Sequence, residues 1–138
     1  MEIKITFPGG KRVNAEIDGK AISTDQPTKY GGEGTAPSPY DHFLASIGTC
    51  AGIYVLSFCE ERKIPTNRVS LVERFEAEKR GDKVVLSKII LEIIVPPEFP
   101  EKYHKVLIKV VDQCAVKKTI LNPPQFDIRT IVNEGRNQ

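Results

Sequence analysis

Polar and apolar residues alternate along the first quarter of the chain. The alternation runs over residues 2–7, stops at the turn-forming residues 8–10 and resumes over residues 13–17, which is the period of half-buried β-strands. Asp18-Gly19 is a two-residue hairpin signal, and a third short strand follows near residues 20–24. This part of the sequence therefore predicts three short strands joined by tight turns.

A long helix is predicted after the loop at residues 25–37, which is rich in glycine and proline. Ser38 is a suitable N-cap, Pro39 suits the first helical position, and Asp41 is the acid expected three residues after the cap. Apolar residues then recur at spacings of three and four over about four turns, as they do on the buried face of a helix. Pro65 is the predicted stop.

A hairpin, a second helix and a last strand complete the pattern. Residues 68–80 and 83–95 have strand character around a glycine turn. An apolar stripe predicts a helix from about Glu98 to Lys118, and the segment Phe126 to Val132 is typical of an edge strand. The order βββ-α-ββ-α-β predicts one α+β domain over residues 1–138, with a mainly antiparallel sheet and two long helices against one face.

Composition and charge exclude several classes of protein. The 138 residues are 40% hydrophobic and 28% charged, as in a folded domain, and a net charge of +2 is too small for electrostatic binding of nucleic acid. Charged residues crowd the amino end and interrupt the apolar stretches at Lys88, Glu92 and Asp112, so we expect no secretory signal and no membrane span. An odd number of cysteines argues against a closed disulfide framework and favours a reducing cytoplasm.

Cys50 and Cys114 are the main candidates for chemistry. Each lies on the apolar stripe of a predicted helix, so two helices packed on one sheet could bring the two sulfur atoms together, whereas Cys59 points away from Cys50. Free cysteine also serves as a small core residue, so simple packing stays open for both. Gly48 and Gly52 flank Cys50 inside the helix and indicate a close approach, either by a packed helix or subunit or by a substrate.

A reactive Cys50 needs a lowered pKa, because the thiolate is the nucleophile. Cys50 lies about three turns into its helix, beyond the reach of that helix's own dipole. We therefore expect a cationic side chain beside it, and the candidates are Lys11, Arg12, Lys29 and His42. The glycine-rich residues 31–35 lack the lysine of a phosphate-binding loop, and the histidines and cysteines lack zinc-site spacing, so no metal is expected.

Two motifs resemble those of the OsmC/Ohr family of osmotically induced and organic-hydroperoxide-resistance proteins. The first is the glycine loop at residues 31–39, followed by a helix that reaches Gly48-Thr49-Cys50, and the second is the segment 112–116 around Cys114. The resemblance implies an intertwined homodimer with an active site at each subunit interface. It further implies a cytoplasmic antioxidant enzyme that reduces organic hydroperoxides, with no bound cofactor.

The same resemblance implies roles for individual residues. Cys50 would attack the peroxide and form a sulfenic acid, Cys114 would resolve it as a disulfide, and an external dithiol such as a lipoyl-type group would restore both thiols. Family members have a glutamate after the helix-opening proline that holds a catalytic arginine. This chain has Tyr40 there and Asp41 next, and Arg12 or Lys29 stands where branches of the family have arginine.

Two other functions remain open at the level of sequence. Tyr40 in place of the family acid favours a dimeric binding module for a small hydrophobic ligand, without catalysis. Its dry pocket would be lined by Phe43, Ile47, Tyr54 and Phe58, and in a peroxidase Tyr40, Phe43, Ile47 and Tyr54 would contact the substrate. A third possibility is thiol–disulfide exchange without peroxide.

Ala115 is a milder departure from the family pattern than Tyr40, because the family usually has proline after the second cysteine.

Overall fold

The computed structural model describes residues 1–133, which form two antiparallel sheets and three α-helices. The predicted α+β class is therefore confirmed, and the remainder of the predicted domain, residues 134–138, lies outside the described residues. In chain order the elements are β1 (Lys4–Gly9), β2 (Arg12–Ile17), β3 (Lys20–Thr24), α1 (Pro39–Glu61), β4 (Ser70–Arg80), β5 (Lys83–Ile94), α2 (His104–Val111) and α3 (Ala115–Leu121).

The first sheet is the predicted meander β1-β2-β3. Ile17 pairs with Lys20, so Asp18 and Gly19 form a two-residue turn, and both have positive φ angles, 49° and 74°. These are the left-handed conformations that a tight hairpin turn requires, and they explain why this dipeptide predicted the turn. Strand β1 is exposed along its whole length, with Phe7 at 80% exposure.

The second sheet is the hairpin β4-β5, and one of its faces packs on the helices. Leu71 pairs with Ile93 in the register, and both contact the hydrophobic core. Because side chains two positions apart share a face, Glu73 lies on the same side of β4 as Leu71 and pairs with Leu91. A carboxylate therefore interrupts the apolar face of this hairpin.

Helix α1 begins with the predicted capping box. The Ser38 hydroxyl accepts a hydrogen bond from the Asp41 backbone N–H at 3.2 Å, and the Asp41 carboxylate accepts one from the Ser38 N–H at 2.8 Å. One face of α1 then provides most of the core, which also takes in residues from α2 and the segment before it; the buried members are Ala51, Val55, Phe58, Cys59, Phe99, Leu107 and Val111.

Helix α1 is also apolar beyond its buried face. No charged residue lies between Phe43 and Cys59, and an 18-residue stretch has a mean hydropathy of 1.5, enough by length and composition to cross a membrane. The expectation that charges interrupt each long apolar stretch therefore overlooked this helix. Core helices of soluble proteins have the same properties, and here only 28% of the stretch is buried within the chain.

The predicted second helix is wrong as one continuous element. It begins only at His104, because prolines at 96, 97 and 100 restrict the preceding backbone, and it ends at Val111. Cys114 has φ −48° and ψ 121°, which is not helical, and α3 restarts immediately after it. Cys114 is thus the N-cap of α3 and not a residue on the stripe of a long helix.

The predicted last strand is also absent as a paired strand in the described chain. Residues 126–132 have no strand partner within residues 1–133. Their apolar side chains are exposed, with Phe126 at 85% and Ile128 at 90%. A β-strand needs a neighbouring edge for its backbone hydrogen bonds, and within residues 1–133 this segment pairs with no strand edge.

Candidate active site

The thiols of Cys50 and Cys114 meet where α1 contacts the start of α3. The two thiols lie close enough for each to shift the pKa of the other, and both are free. Cys114 is completely buried and Cys50 is half-buried. The prediction that these two sulfur atoms become neighbours is therefore confirmed. Cys59 lies in the hydrophobic core with burial raising its pKa, as expected of a packing residue.

The first turn of α3 is capped by these two sulfur atoms. A helix leaves its first four backbone N–H groups without partners inside the helix. At α3 the Lys117 N–H donates to Cys114 Sγ at 3.5 Å, and the Cys114 N–H donates to the carbonyl of Val111 at 3.0 Å. The N–H groups of Ala115 and Val116 lie against the Cys50 sulfur and lower its pKa. Sulfur atoms therefore stand where the start of a helix usually has an oxygen cap.

This arrangement separates the two thiols in acidity. The N–H of Val116, then the Cys114 thiol and the N–H of Ala115, lower the pKa of Cys50 against the opposing effect of burial. Burial raises the pKa of Cys114, and its hydrogen bond to Cys50 raises it further. Cys50 is therefore the thiol that ionises first, whereas Cys114 keeps its proton, and its Sγ donates to the carbonyl of Ile47 at 3.8 Å.

The cation expected to lower the Cys50 pKa stays a prediction. Within residues 1–133, the groups that lower it are backbone amides and a thiol, with no cation among them. The dipole of α1 is indeed too distant, but the amino end of a different helix lies against the sulfur. Cysteine is not a preferred N-cap residue, so the sequence carried no signal for this helix start.

The four predicted cations lie near the first sheet and the glycine loop. Arg12 Nε donates to the carbonyl of Gly9 at 3.3 Å, and His42 Nε2 lies 3.1 Å from the carbonyl of Ser23. The Lys29 ammonium lies 4.9 Å from the centre of the Tyr30 ring, and Lys11 lies beside Gly31. Any role for these side chains in catalysis stays a prediction.

Other predicted site residues cluster at the amino end of α1. Lys29, Tyr40 and Asp41 line a cavity of about 460 Å³, and the Tyr40 ring stacks on Phe43 with centroids 5.8 Å apart. Hydrogen bonds from the Ser38 hydroxyl and N–H lower the pKa of Asp41. Tyr40 and Cys50 are ten residues apart on one helix, or about 15 Å. Within one chain, this cluster and the thiol pair are separate places.

Asp25 organises the loop that forms this cavity, and the sequence analysis missed it. Its buried carboxylate accepts hydrogen bonds from the N–H groups of Gln26, Glu33 and Thr35 and from the Thr35 hydroxyl. The Thr35 bonds contribute most to lowering its pKa to about 2. An aspartate at the start of a glycine-rich loop was the available signal, since such side chains bond to the following backbone.

An apolar groove lies between α1, β5 and the two short helices, next to the thiol pair. Its volume is about 370 Å³, and the carbonyl of Ile47, which lines it, lies 3.8 Å from Cys114 Sγ. Of the predicted pocket residues only Ile47 lines this groove. Phe58 instead packs in the core, with its ring edge-on to that of Tyr103. The lining residues are Ile47, Ile89, Leu91, Ile93, Ile108, Val111, Asp112, Lys117, Ile120 and Leu121.

Gly48 makes room for a second residue that the sequence analysis missed, Glu73 on β4. A Cβ atom at Gly48 would lie 2.7 Å from Glu73 Cδ, which is too close for an unshifted side chain. The close approach predicted from the glycine pair is thus confirmed at Gly48, while at Gly52 the single chain leaves open space. Burial raises the pKa of Glu73, and its Oε1 atom has no hydrogen-bond partner among the described residues.

No group of three or more His, Cys, Asp and Glu side chains in the described part of the chain is arranged to hold a metal ion.

The fold agrees with that of a known protein family. A family model for OsmC-like proteins matches residues 32–129. The chain belongs to the OsmC-like family. No curated protein matches it.

Solved structures share the OsmC-like fold at low sequence identity. A protein from Psychrobacter arcticus described as an osmotic stress induced and detoxification response protein is 23% identical, with a TM-score of 0.68 and 85% of both chains covered. An organic hydroperoxide resistance protein OsmC from Legionella pneumophila is 20% identical, with a TM-score of 0.59, covering 87% of this chain and 89% of that one. At these identities the likeness shows the fold.

Proposed function

We propose that the protein is a thiol-dependent peroxidase that reduces organic hydroperoxides. The supporting observation is that Cys50, whose pKa is lowered, and Cys114, whose pKa is raised, lie side by side at the start of α3. A thiolate attacks peroxides, and a second thiol within reach traps the product. Membership of the OsmC-like family supports a redox role of this kind.

The reaction uses the two sulfur atoms in order. The Cys50 thiolate attacks one oxygen of the O–O bond, the bond breaks, and the alkoxide takes a proton and leaves as an alcohol. Cys50 is then a sulfenic acid. The Cys114 sulfur attacks the Cys50 sulfur, its proton leaves with the hydroxyl group as water, and a disulfide forms.

An external dithiol, such as a lipoyl-type group on another protein, completes the cycle. It transfers two electrons and two protons to the disulfide and itself becomes a disulfide. No bound cofactor is needed for these steps. The cytoplasm remains the predicted compartment, because an oxidising one would hold the pair as a disulfide.

The apolar groove is our candidate site for the organic part of the peroxide. It adjoins the thiol pair at Ile47, and its walls are almost entirely aliphatic. An alkyl or aryl group would be removed from water there, whereas hydrogen peroxide gains nothing from such walls. The groove therefore favours organic hydroperoxides over hydrogen peroxide.

We also propose that two copies assemble as a homodimer through the uncovered apolar face of α1. Ile53 is 60% exposed and Leu56 39% exposed, and a Cβ atom at the neighbouring Gly52 would meet open space. A helix that is apolar all round is normally buried on all sides. The exposed strand β1 and the unpaired segment 126–132 are further surfaces that a second copy would cover.

Stopped-flow kinetics with reduced protein and cumene hydroperoxide test the peroxidase. We expect oxidation of wild type to exceed that of a free thiol by orders of magnitude, loss of this rate in Cys50→Ser, and little change in the matched control Cys59→Ser. Hydrogen peroxide should react more slowly. An unchanged rate in Cys50→Ser contradicts the assignment of the nucleophile.

Mass spectrometry under excess peroxide tests the resolving thiol. In Cys114→Ser nothing traps the sulfenic acid, so Cys50 should gain two or three oxygens, as expected for the sulfinic and sulfonic states. Wild type should form the Cys50–Cys114 disulfide instead. An unmodified Cys50 in Cys114→Ser would count against the resolving role.

Light scattering during size exclusion tests the dimer. Ile53→Glu places a charge on the proposed interface and should give monomers, whereas Val84→Glu changes a similarly exposed apolar residue at the β4–β5 turn and should leave dimers. A monomeric wild type, or dimers in both variants, would rule out this interface.

Thiol–disulfide exchange is a second candidate, and one observation favours it. Within the described chain no cation acts on Cys50, so the site resembles an acidic-thiol pair more than a charged peroxide pocket. Turnover of a small disulfide in the absence of peroxide, with no acceleration by cumene hydroperoxide, would favour this alternative.

A further inference from the structure

We propose that oxidation of Cys50 and Cys114 to a disulfide uncaps helix α3 and thereby opens the apolar groove. This inference rests on the disulfide of the proposed function and adds a conformational consequence to it. The groove would hold an organic molecule well in the dithiol state and poorly in the disulfide state.

Sulfur atoms face the backbone N–H groups at the start of α3. Cys114 Sγ accepts the Lys117 N–H at 3.5 Å, and the N–H groups of Ala115 and Val116 act on the Cys50 sulfur and lower its pKa. Helix N-termini are usually capped by oxygen atoms, which keep their acceptor strength whatever the redox conditions. At α3 the atoms that cap the helix are the same atoms that undergo the chemistry.

Apart from the sulfur atoms, helix α3 is stabilised mainly by exposed contacts: Lys117 forms an ion pair with Asp112, and Lys118 Nζ donates to Gln113 Oε1 at 2.7 Å. It is seven residues long, and none of its side chains is fully buried. Helices this short are marginal in water without tertiary packing or caps. Residues 122–132, which follow α3, are exposed and pair with no strand of the described chain.

Disulfide formation removes the acceptors. The two thiols lose two protons and two electrons to a hydroperoxide, which becomes an alcohol and water, and the sulfur atoms move to about 2.05 Å from each other. The Cys50 sulfur can then no longer become a thiolate, so the stronger acceptance that a thiolate offers to the Ala115 and Val116 N–H groups is lost. The Cys114 sulfur must also turn toward Cys50, away from the position in which it accepts the Lys117 N–H at 3.5 Å.

Loss of the cap reaches the groove because α3 forms one of its walls. Lys117, Ile120 and Leu121 line the groove on this side, opposite Ile89 and Leu91 of β5. A frayed α3 no longer holds these side chains against the bound molecule. The alcohol product would then leave at the stage when the disulfide must become accessible to the external dithiol.

Hydrogen exchange followed by mass spectrometry tests the inference on the full chain. Reduced protein is compared with protein oxidised by diamide, which accepts the two electrons and two protons, and loss of two hydrogens confirms the disulfide. Peptides from residues 115–121 should exchange at least about fivefold faster when oxidised, the factor expected for loss of one helix cap. Peptides from α2, residues 104–111, should not change and serve as the internal control.

Three variants separate capping from cross-linking. Cys114→Ser cannot form the disulfide but keeps a strong N-cap, so α3 should exchange slowly with and without diamide. Cys114→Ala also forms no disulfide, and it loses the acceptor for the Lys117 N–H, so α3 should exchange faster than in Cys114→Ser with and without diamide. Cys50→Ser keeps the Cys114 cap and should be intermediate. Equal exchange in Cys114→Ala and Cys114→Ser would overturn the capping role.

Calorimetric titration with cumyl alcohol, the product of cumene hydroperoxide, tests the groove. The dissociation constant should be at least about fivefold larger for oxidised than for reduced wild type, and diamide should not change it in Cys114→Ser. Equal exchange of α3 or equal affinity in the two wild-type states overturns the inference and leaves the peroxidase standing. If diamide forms no disulfide, both proposals fail. A disulfide that loosens α3 in a protein without peroxidase activity supports the inference alone.

Discussion

Helices α1 and α3 begin in chemically different ways, although both starts satisfy the same backbone groups. Helix α1 has the serine N-cap Ser38, proline at its first position and the carboxylate of Asp41, all of them local in sequence. Helix α3 has Cys114 as N-cap and takes its second sulfur acceptor from Cys50, which lies on another helix. One start is closed by permanent oxygen acceptors and the other by titratable, oxidisable sulfur.

The difference shows how a helix start can serve structure or chemistry. At the start of α1 the backbone N–H groups donate to side chains that do not react, and the Asp41 carboxylate accepts hydrogen bonds from the Ser38 N–H and hydroxyl. At α3 the amides stabilise a thiolate, so the same physical effect lowers a pKa. The following experiments break or sharpen this comparison.

The largest expected effect is on the reactivity of the thiols. Because α3 amides lower the pKa of Cys50, its alkylation by iodoacetamide should rise with pH through a midpoint below the ordinary thiol value and then level off. At pH 7 we expect it to exceed a free thiol's rate about tenfold. Cys114, measured in Cys50→Ser, should have a midpoint above that of Cys50. A Cys50 midpoint at or above the ordinary value would remove the contrast between the two helix starts.

The second effect concerns Gly48, which lies on α1 between the oxygen-capped start of that helix and Cys50. Gly48→Ala should lower the free energy of unfolding by about 1–3 kcal/mol, because the new methyl group overlaps Glu73. In a Glu73→Ala background the same change should instead stabilise by about 1 kcal/mol, the helix propensity of alanine over glycine. Urea denaturation of the four proteins gives the coupling, and additive effects would mean that Gly48 is not fitted to Glu73.

The third effect tests the permanence of the oxygen cap. Ser38→Ala should cost about 1 kcal/mol of stability, because it removes the acceptor for the Asp41 N–H. The loss should be equal in dithiothreitol and in diamide, measured by urea denaturation of Ser38→Ala against wild type with both thiols present. A loss that depends on the redox reagent would show that the α1 start is not independent of the thiols.

The smallest effect comes from giving α3 the proline that α1 has at its first position. Ala115→Pro removes one N–H donor from Cys50, and the extended backbone of Cys114 already suits a following proline. Alkylation of Cys50 at pH 7 should fall about two- to fivefold. Ala115→Ser keeps the N–H and should not change the rate. Equal rates in all three proteins would exclude this amide as a contributor.

Local patterns accounted for most of the fold. Alternation predicted β1 to β3, the Asp18-Gly19 dipeptide predicted its turn, and the capping box predicted the start of α1. The second helix was misplaced because an apolar stripe continues across residues 112–114, where the backbone turns. The spacing of apolar residues shows which side chains face the core. It does not show a break in a helix when the side chains before and after the break face the same way.

The sequence by itself determined the α+β class and the inward position of Cys50 and Cys114, because propensity, capping and apolar spacing act between near neighbours. Only the tertiary structure decided which groups act on Cys50. The amides of α3 and the fit of Glu73 against Gly48 join residues that are distant in the chain. A pKa depends on the few ångströms of space around a group, and that space is filled by packing.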